Sequence, residues 1–400
     1  MLFQNAIDHA LTALKSRVHA PIRVVLWDGR EVALSEAPRV TLRVKDPSAA
    51  AALARPTMLS LAEAYIDGRT DVEGDVREAI RSAEALTRGR QHSIFGGRDR
   101  ARHTKREDRD AIRHHYDVSN EFYALWLDPR MVYSCAYFRA GDDTLEQAQV
   151  QKLDHICTKL RLAPGEKFLD IGCGWGALAM HAAGKYGVDA TGITLSENQF
   201  RLATERIRAA GLQDRCRVLL QDYRDHPGEG FYDKVASVGM FEHVGLNNLP
   251  TYFATVARLL RERGLFLNHG ITASDVENRA VGLGAGEFIG RYVFPKGELP
   301  HLHRVVHDMS VQDFEVTDVE SLRMHYARTL GFWSDNFERR YDEAVAASCE
   351  RTARIWRIYL AGCAHAFEQR WISIHQVLAS KQKKPGPTDL PLTRDWMYAK

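Results

Sequence analysis

A buried strand followed at once by three closely spaced glycines limits the possible folds of this chain more than any other feature. The strand is predicted at Lys167–Ile171, and Gly172, Gly174 and Gly176 follow it. Glycines in such a turn let the backbone pass close to a ligand and direct N–H groups toward it. In a doubly wound sheet, nucleotide-like ligands bind beyond the carboxyl ends of the strands. The stretch 169–199 therefore predicts a nucleotide-type site at that edge of an α/β sheet.

Strands and helices alternate along this part of the chain. The predicted strands are Lys167–Ile171, Asp189–Ile193, Arg217–Leu220, Lys234–Val238 and Gly264–His269. The predicted helices between them are Ala177–Tyr186, Glu197–Ala210 and Leu249–Leu260. A further strand at Phe314–Val319 precedes two helical stretches, which are predicted over 322–347 and 349–378. This order predicts an α/β fold with a doubly wound, mostly parallel, Rossmann-like sheet and right-handed crossovers.

Residues 1–87 predict a separate and smaller α+β domain. Asp28-Gly29 joins two strand-like runs as a hairpin, and a helix is predicted around Leu59–Ile66. Residues 2–18 carry apolar side chains at helical spacing, either to dock onto their own domain or to insert at a membrane surface. The order of strands, helix and then DGRTDVEGD resembles sterol-carrier-type lipid-binding domains, with a generic α+β appendage as the alternative. We therefore assign 1–87 as a domain that contacts lipid or membrane.

Composition separates a linker, a larger domain and a tail. Residues 88–113 hold nine Lys and Arg against four Asp and Glu, which is typical of a solvated basic linker. Its charges are not interleaved with stacking aromatics, so we expect no nucleic-acid partner. The larger domain spans 114–380 and contains a glycine-rich insertion over 272–309, which is typical of a lid. The proline-containing segment 381–400 predicts a loose tail.

The sequence also indicates a compartment and excludes several classes of protein. No apolar run approaches the roughly 18 residues that span a bilayer, and no signal-peptide pattern is found. The six cysteines include no C-x-x-C pair, so we expect neither a disulfide scaffold nor a zinc site, and no metal. A reduced cytoplasm is the expected location.

Dinucleotide enzymes and S-adenosylmethionine methyltransferases both use a glycine-rich turn, and two features separate them here. The spacing is G-x-G-x-G, and Ala177 stands where a dinucleotide site has its helix-packing glycine. A dinucleotide site also needs an acidic residue about 20 positions further on, at the end of the second strand. That place holds Gly192-Ile193-Thr194, with no carboxylate before Glu197. The sequence therefore predicts S-adenosylmethionine as the cofactor.

The residues predicted to bind S-adenosylmethionine follow the ends of the strands. Neutral hydrogen-bonding side chains after the second strand suit a ribose or an amino-acid moiety. After the third strand, Asp222 is placed to accept from an adenine amino group, while Tyr223 covers the ring. A run of polar-tipped side chains at 133–135 suits a pocket wall. The predicted set is Tyr133, Ser134, Gly172, Gly174, Gly176, Thr194, Leu195, Ser196, Gln199, Gln221, Asp222 and Tyr223.

Eight separated motifs, in order, resemble one known family over Arg113 to Leu378. They are HHYDVSNEFY, YSCAYF, LDIGCGWGALA, GITLSENQ, LQDYRD, SVGMFEHVG, FPKGELP and HYARTLGFW. The chain resembles bacterial cyclopropane-fatty-acyl-phospholipid synthases, which are relatives of the mycolic acid cyclopropane synthases. The resemblance implies methylene transfer from S-adenosylmethionine to the cis double bond of an unsaturated acyl chain in a membrane phospholipid. It also implies a homodimer and peripheral contact with the inner face of the membrane.

The resemblance further implies a bicarbonate ion beside the methyl donor. By motif it is surrounded by Cys135, Glu242, His269, the backbone of Ile271, and Tyr326. Attack of an alkene on the methyl group leaves a carbocation, and a base must then remove a proton so that the ring can close. A small bound oxyanion can do so without trapping the cation covalently. In one position the sequence departs from the family, because Asn268 stands where leucine is often found beside the histidine.

Each of these residues also has an ordinary structural interpretation. Glu242 is placed to cap a helix, Cys135 to be an inert buried thiol, His269 to bond core backbone, and Tyr326 to pack with a satisfied hydroxyl. A single oxyanion site accounts for all of them together, which favours the catalytic interpretation. The alternative functions are a lipid alkene methyltransferase that gives methyl-branched or methylene chains, a small-molecule N-methyltransferase, and a non-enzymatic lipid carrier.

Overall fold

The computed structural model describes residues 15, 20–49, 52–53, 56–87, 118–277, 284–295, 297–382, 386 and 389–398. Two compact units divide the chain. The first comprises Met1–Arg98, Arg279–Pro295 and Leu330–Trp371, and the second comprises Asp99–Asn278, Lys296–Thr329 and Ile372–Lys400. The predicted amphipathic helix at 2–18 and the predicted linker at 88–113 fall outside the described residues, apart from residue 15.

The strands and helices are numbered in chain order. The strands are β1 Ile22–Val25, β2 Glu31–Ala33, β3 Val40–Val44, β4 Thr70–Gly74, β5 Lys167–Ile171, β6 Asp189–Thr194, β7 Cys216–Leu220, β8 Tyr232–Val238, β9 Leu260–Ala273, β10 Phe314–Ser321 and β11 Ile372–Lys381. The helices are α1 Met58–Ile66, α2 Val76–Thr87, α3 Asn120–Ala124, α4 Leu145–Lys159, α5 Ala177–Tyr186, α6 Glu197–Ala209, α7 Leu249–Leu259, α8 Ala285–Tyr292, α9 Leu302–Val311, α10 Arg323–Arg339, α11 Tyr341–Ala347, α12 Glu350–Glu368 and α13 Asp395–Tyr398.

The first unit contains a four-stranded sheet in the order β2-β1-β3-β4. The predicted hairpin is confirmed, because β1 and β2 pair antiparallel across a turn in which Gly29 has a φ of 85°. The capping box of α1 uses Thr57 and Ser60, which satisfy each other's backbone N–H groups. Apolar side chains from the sheet, including Val24, Val40 and Val44, form the core of this unit.

The second unit is built on a seven-stranded sheet in the order β10-β11-β9-β8-β5-β6-β7. The five strands from β9 to β7 are parallel, and β11 and β10 add an antiparallel edge. One apolar cluster lies on each face of the sheet, and the helices α5 and α7 contribute to different clusters. The predicted α/β, mostly parallel and doubly wound fold is confirmed.

The helix predicted over 349–378 is wrong at its end. The helix α12 stops at Glu368, and residues 372–381 form the strand β11 between β9 and β10. Its side chains are buried on both faces, with Val377 in one apolar cluster and Leu378 in the other. A strand covered on both faces lacks the apolar–polar alternation that identifies half-buried strands, so the sequence there resembles a buried helix.

The segments predicted as a lid and as a loose tail contain regular structure in their described parts. Strand β9 extends to Ala273, and the predicted lid segment 272–309 ends within α9, whose Val305 and Met309 belong to the core of the second unit. The helix α8 falls in the first unit. In the predicted loose tail, α13 packs on the second unit through the buried Met397. The helices α9 and α13 thus carry apolar side chains at positions that face the core of the second unit.

No helix in the described part of the chain is both long and apolar enough to cross a membrane.

Truncating Leu378 tests the placement of β11 inside the sheet. Leu378 is fully buried, so Leu378→Ala removes apolar contacts and leaves a cavity, which typically costs about 2–5 kcal/mol. Val319→Ala on the neighbouring strand β10 is the control, because Val319 is 38% exposed and its truncation should cost far less. Urea unfolding followed by circular dichroism measures both. Equal and small losses for the two variants would contradict this placement.

Candidate active site

A pocket opens at the carboxyl ends of the parallel strands in the second unit. The glycine-rich turn after β5 forms its floor, and the ends of β6, β7 and β8 form its sides. The wall opposite is a loop that follows α3 and contains Tyr133 and Ser134. The pocket therefore lies where the sheet topology predicts a nucleotide site.

The three glycines of the turn have different roles. All of them have positive φ values, 78° at Gly172, 56° at Gly174 and 83° at Gly176, a region that side chains disfavour. A Cβ at Gly172 would lie 2.7 Å from Cβ of Met240, whereas one at Gly174 would meet no atom within 4 Å. Gly176 is the N-cap of α5. Packing against Met240 thus requires glycine at 172. Gly174 adjoins the open pocket, and Gly176 begins the helix α5.

Most of the predicted cofactor residues line this pocket. Those that do are Tyr133, Ser134, Gly172, Gly174, Thr194, Leu195, Gln199, Gln221, Asp222 and Tyr223. Gly176 and Ser196 do not line it. Ser196 instead caps α6, where its hydroxyl accepts from the backbone N–H of Gln199. These two residues therefore position the neighbours that line the pocket.

Several polar side chains of the pocket already have partners within the protein. The hydroxyl of Thr194 donates to Oε1 of Gln199 at 2.7 Å. Both carboxylate oxygens of Asp222 accept from the Arg224 side chain, at 2.9 and 2.6 Å. The side-chain amide of Gln221 is occupied by the carbonyl of Asp225 and by a ring nitrogen of His226. These bonds fix the side chains before a ligand binds.

Two buried ionisable residues of the pocket were missed in the sequence. Lys152 on α4 donates to the hydroxyl of Ser134 at 2.8 Å, which leaves the hydroxyl hydrogen available to the pocket. Burial lowers the pKa of Lys152 to about 8 and raises the pKa of Asp170 to about 7. Asp170 stands two residues before Gly172, and Lys152 interrupts the apolar face of α4 that includes Leu145 and Ile156. In the sequence, a lysine on an otherwise apolar helix face was the signal that could have identified Lys152 as a functional residue.

The predicted catalytic residues do not line this pocket, but Glu242 and Ile271 contact each other. Glu242 lies in a short 3-10 helix, Phe241–His243, that follows β8, and its Oε1 accepts from the backbone N–H of Ile271 at 2.7 Å. The N–H of Ile271 therefore holds the carboxylate of Glu242. A Cβ at Gly270 would lie 1.9 Å from the Phe241 ring, so only glycine at 270 allows this approach.

His269 lies two residues before Ile271 on β9. The ring is 1% exposed, and its Nδ1 lies 3.1 Å from Nε2 of Gln376 on β11. Burial, with nearby lysines, holds the pKa of His269 well below its ordinary value, so the ring is neutral. Its carbonyl accepts from the N–H of Gly239, which ties it to the end of β8.

Cys135 and Tyr326 are linked to strand β11 through backbone contacts near Leu322. The thiol of Cys135 lies 3.2 Å from the carbonyl oxygen of Ala136 and 3.8 Å from that of Leu322, and the N–H of Leu322 donates to the carbonyl of Ile374. Ile374 lies directly opposite Ile271 in the pairing of β11 with β9. Tyr326 follows Leu322 by one turn at the start of α10 and is buried. Burial raises the pKa of Cys135, so its thiol stays protonated.

The residues predicted to form a catalytic cluster are Cys135, Glu242, His269, Ile271 and Tyr326. Two atoms of this set are buried without a hydrogen-bond partner among the described residues. They are Oε2 of Glu242 and Nε2 of His269. Burial raises the pKa of Glu242 to about 7. A buried polar atom without a partner is costly, so each of these two atoms is a candidate contact for a ligand.

The departure at Asn268 leaves the catalytic cluster intact. Side chains alternate along a strand, so Asn268 and His269 point to opposite faces of the sheet. The side chain of Asn268 is buried and accepts from the hydroxyl of Tyr252 at 3.1 Å. Asn268 is thus satisfied by α7 and is directed away from the histidine side.

Comparison with known proteins identifies the family. The model of the mycolic acid cyclopropane synthetase family matches residues 103–377. The chain belongs to this family. It is an S-adenosylmethionine-dependent methyltransferase, and the predicted relationship to cyclopropane synthases is confirmed. A second model, of a domain of unknown function (DUF7884), matches residues 10–92.

Relatives cover nearly the whole chain. A "Probable fatty acid methyltransferase" of Pseudomonas putida is 51% identical over 391 residues, 96% of this chain and 98% of that protein. The cyclopropane-fatty-acyl-phospholipid synthase of Escherichia coli K12 is 35% identical over 365 residues, 89% of this chain and 91% of that protein. The solved structure of the mycolic acid cyclopropane synthase CmaA1 with SAH and CTAB has a TM-score of 0.65 and 36% identity. It covers 68% of this chain and 98% of that one.

Burial of Glu242 makes the stability of this family member depend on pH. Its carboxyl titrates near 4.5 when unfolded and near 7 when folded, so ionising it in the folded state is penalised as the pH rises between those values. Glu242→Gln removes this penalty. The variant should therefore gain stability relative to wild type from pH 4.5 to pH 7.5, by an amount on the order of 3 kcal/mol.

Urea unfolding at several pH values measures this difference, in buffer free of added anions that could bind the site. Glu315→Gln, on the exposed side of β10, is the control and should show no comparable trend. A difference between Glu242→Gln and wild type that stays constant across this range would show that Glu242 ionises in the fold as it does in water.

Proposed function

We propose that the protein transfers a methylene group from S-adenosylmethionine to the cis double bond of unsaturated acyl chains in membrane phospholipids, with bicarbonate as the base. The proposal rests above all on two buried atoms that have no hydrogen-bond partner in the part of the chain that the structure describes, Oε2 of Glu242 and Nε2 of His269. Bicarbonate carries one hydroxyl group that can donate to Oε2 of Glu242. It also has two oxygens that can accept from Nε2 of His269. The similarity to the Escherichia coli cyclopropane-fatty-acyl-phospholipid synthase supports unsaturated phospholipid as the substrate that receives the methylene group.

The residues of the catalytic cluster have separate tasks in this proposal. Glu242 accepts a hydrogen bond from the hydroxyl of the ion, and the neutral ring of His269 donates from Nε2 to an oxygen. Ile271 acts through Glu242, because its N–H holds the other carboxylate oxygen at 2.7 Å. Cys135 and Tyr326 close the site with a protonated thiol and a buried ring. Bound bicarbonate supplies a base that accepts the proton released when the ring closes.

The same interactions keep the base from being neutralised before reaction. Burial holds the pKa of the imidazolium form of His269 well below its ordinary value, so the ring is neutral. The single N–H of a neutral imidazole is a very weak acid, so it donates a hydrogen bond without giving up its proton. The thiol of Cys135, with its raised pKa, is likewise a poor acid. Dry surroundings of this kind strengthen each hydrogen bond to the ion.

The pocket beside the glycine-rich turn is the proposed site of S-adenosylmethionine. Gly174 allows the backbone to approach the ligand, and the hydroxyl hydrogen of Ser134 is available because Lys152 occupies its oxygen. Tyr223 stands at the pocket edge with its ring held against Tyr252, in position to cover an adenine. The acyl chains lie in a bilayer, so we also propose peripheral contact with the inner face of the membrane from the cytoplasm, and a homodimer.

A second candidate is a fatty acid methyltransferase that leaves a methyl-branched or methylene-bearing chain. The observation in its favour is the name of the Pseudomonas putida relative, which matches 96% of this chain at 51% identity. Both reactions begin with methyl transfer to an alkene carbon. They differ in which proton leaves afterwards, and hence in the product.

Product analysis separates the two candidates. The protein is incubated with labelled S-adenosylmethionine and vesicles of mono-unsaturated phospholipid, and the released fatty acids are examined by mass spectrometry and proton NMR. Cyclopropanation predicts chains heavier by one CH₂, with ring protons and no alkene protons. Labelled chains that retain an alkene would support the second candidate instead. Labelling of soluble amines with none of the lipid would contradict both.

Substitution in the catalytic cluster should abolish turnover while leaving cofactor affinity nearly unchanged. Loss of a group that handles a proton typically costs about 10²–10⁴-fold in rate. We therefore expect Glu242→Gln and His269→Ala to lose at least about 100-fold in turnover, since neither residue lines the cofactor pocket. Calorimetric titration with S-adenosylhomocysteine measures the affinity.

Glu315→Gln again serves as the matched control for a carboxylate-to-amide change. Turnover at the wild-type level in either cluster variant would remove the assignment of the base site. Parallel loss of turnover and of cofactor affinity would mean that the two sites are not separable.

A further inference from the structure

We infer that Gln376 is a positioning residue that sets the tautomer of His269, and so decides which ring nitrogen carries the hydrogen offered to the bound oxyanion. The inference rests on the proposed function for the identity of that oxyanion. The tautomer itself does not depend on it. Gln376 lies in the strand β11, which was predicted as a helix, and no motif pointed to it.

Strand pairing places Gln376 directly across from the histidine. β11 and β9 are antiparallel neighbours, and Gln376 is the register partner of His269. Gln376 is fully buried, and its Nε2 lies 3.1 Å from Nδ1 of the ring. Both strands are internal to the sheet, with β8 and β10 on their outer sides, so the backbone cannot shift this pair without breaking adjacent pairings.

The chemistry of this contact determines the position of the ring hydrogen. A side-chain amide nitrogen only donates, so Nδ1 of His269 must accept and carries no hydrogen. A neutral imidazole holds its single hydrogen on the other nitrogen in that case, which is Nε2. Nε2 is the atom that has no partner among the described residues. The contact therefore turns the unpartnered nitrogen into a donor.

The charges around the ring favour the neutral form, in which the choice of tautomer matters. Burial is the main cause that holds the pKa of His269 well below its ordinary value. Lys152, Lys159 and His155 on α4 act in the same direction as burial, and Glu320 on β10 acts against it. An imidazolium carries hydrogen on both nitrogens and has no tautomers, so Gln376 could not select one.

Gln376 also has a feature that packing alone does not explain. Its Oε1 is buried and has no hydrogen-bond partner among the described residues. A methionine of similar shape would avoid that unsatisfied oxygen. A glutamate would accept from Nδ1–H, which reverses the tautomer and favours the charged ring. Glutamine is thus the side chain of this shape that donates to Nδ1 without adding charge.

The tautomer can be measured directly in the wild-type protein. Uniform ¹⁵N labelling of histidine gives separate ring-nitrogen resonances, and comparison with His269→Ala assigns those of His269. We expect the shift of a protonated nitrogen at Nε2 and of an unprotonated one at Nδ1, constant from pH 6 to pH 8. A hydrogen on Nδ1, or a doubly protonated ring in this range, would overturn the inference.

Two variants then separate positioning from structural support. In Gln376→Glu the hydrogen should move to Nδ1 or the ring should become charged near neutral pH. Turnover should fall on the order of 10–100-fold, as is typical when a supporting hydrogen bond to a functional histidine is lost. In Gln376→Met the tautomers should mix, with a smaller loss and a higher apparent KM for added bicarbonate. Cofactor affinity should stay unchanged in both.

The control is Ser380→Ala, a buried polar residue on the same strand. It should change neither the ring resonances nor the KM for bicarbonate. An unchanged tautomer in Gln376→Glu, with the fold intact by circular dichroism, would also overturn the inference. Absence of lipid methylation by the wild type would defeat the proposed function alone, because the ring resonances are read without turnover.

Discussion

The pairing of β11 with β9 is the constraint on which the catalytic cluster depends. This pairing sets Gln376 opposite His269 and Ile374 opposite Ile271. Through the N–H of Leu322, which donates to Ile374, it also fixes the start of α10 and the thiol of Cys135. A strand that returns from the far end of the chain thus assembles residues that are separated by up to 241 positions, between Cys135 and Gln376. A shift of one residue would turn each side chain to the other face.

Burial sets the protonation states of Glu242, His269 and Cys135. Glu242 is buried, with no cation bonded to it among the residues that the structure describes, and burial raises its pKa to about 7. His269 is neutral for the same reason, and Cys135 keeps its proton. In the proposed function, a group that donates to Glu242 and accepts from His269 would satisfy both atoms, whereas a bare anion would face the carboxylate without a hydrogen to share.

The sequence predicted the fold and most of the residues that line the pocket at the ends of the parallel strands, because their signals are local. The strand before Gly172, the three glycines and the polar ends of the next strands all lie within about 60 residues, and their periodicity is regular. The predicted catalytic residues came from motifs that match a family, and the pattern of residues alone left ordinary structural interpretations open. Gln376 and the strand around it escaped prediction because a strand buried on both faces has no alternation. Lys152 was missed because its partner Ser134 is distant in sequence, although its place on an apolar helix face was visible.

The central claim is that the catalytic cluster binds bicarbonate as the base of the reaction. The most direct measurement is the turnover of the wild-type enzyme on phospholipid vesicles in buffer stripped of carbon dioxide, before and after bicarbonate is added. The account predicts that turnover falls on depletion and returns with saturable dependence on bicarbonate, while S-adenosylhomocysteine binding is unaffected. Full turnover in the depleted buffer, with no response to added bicarbonate, would contradict it.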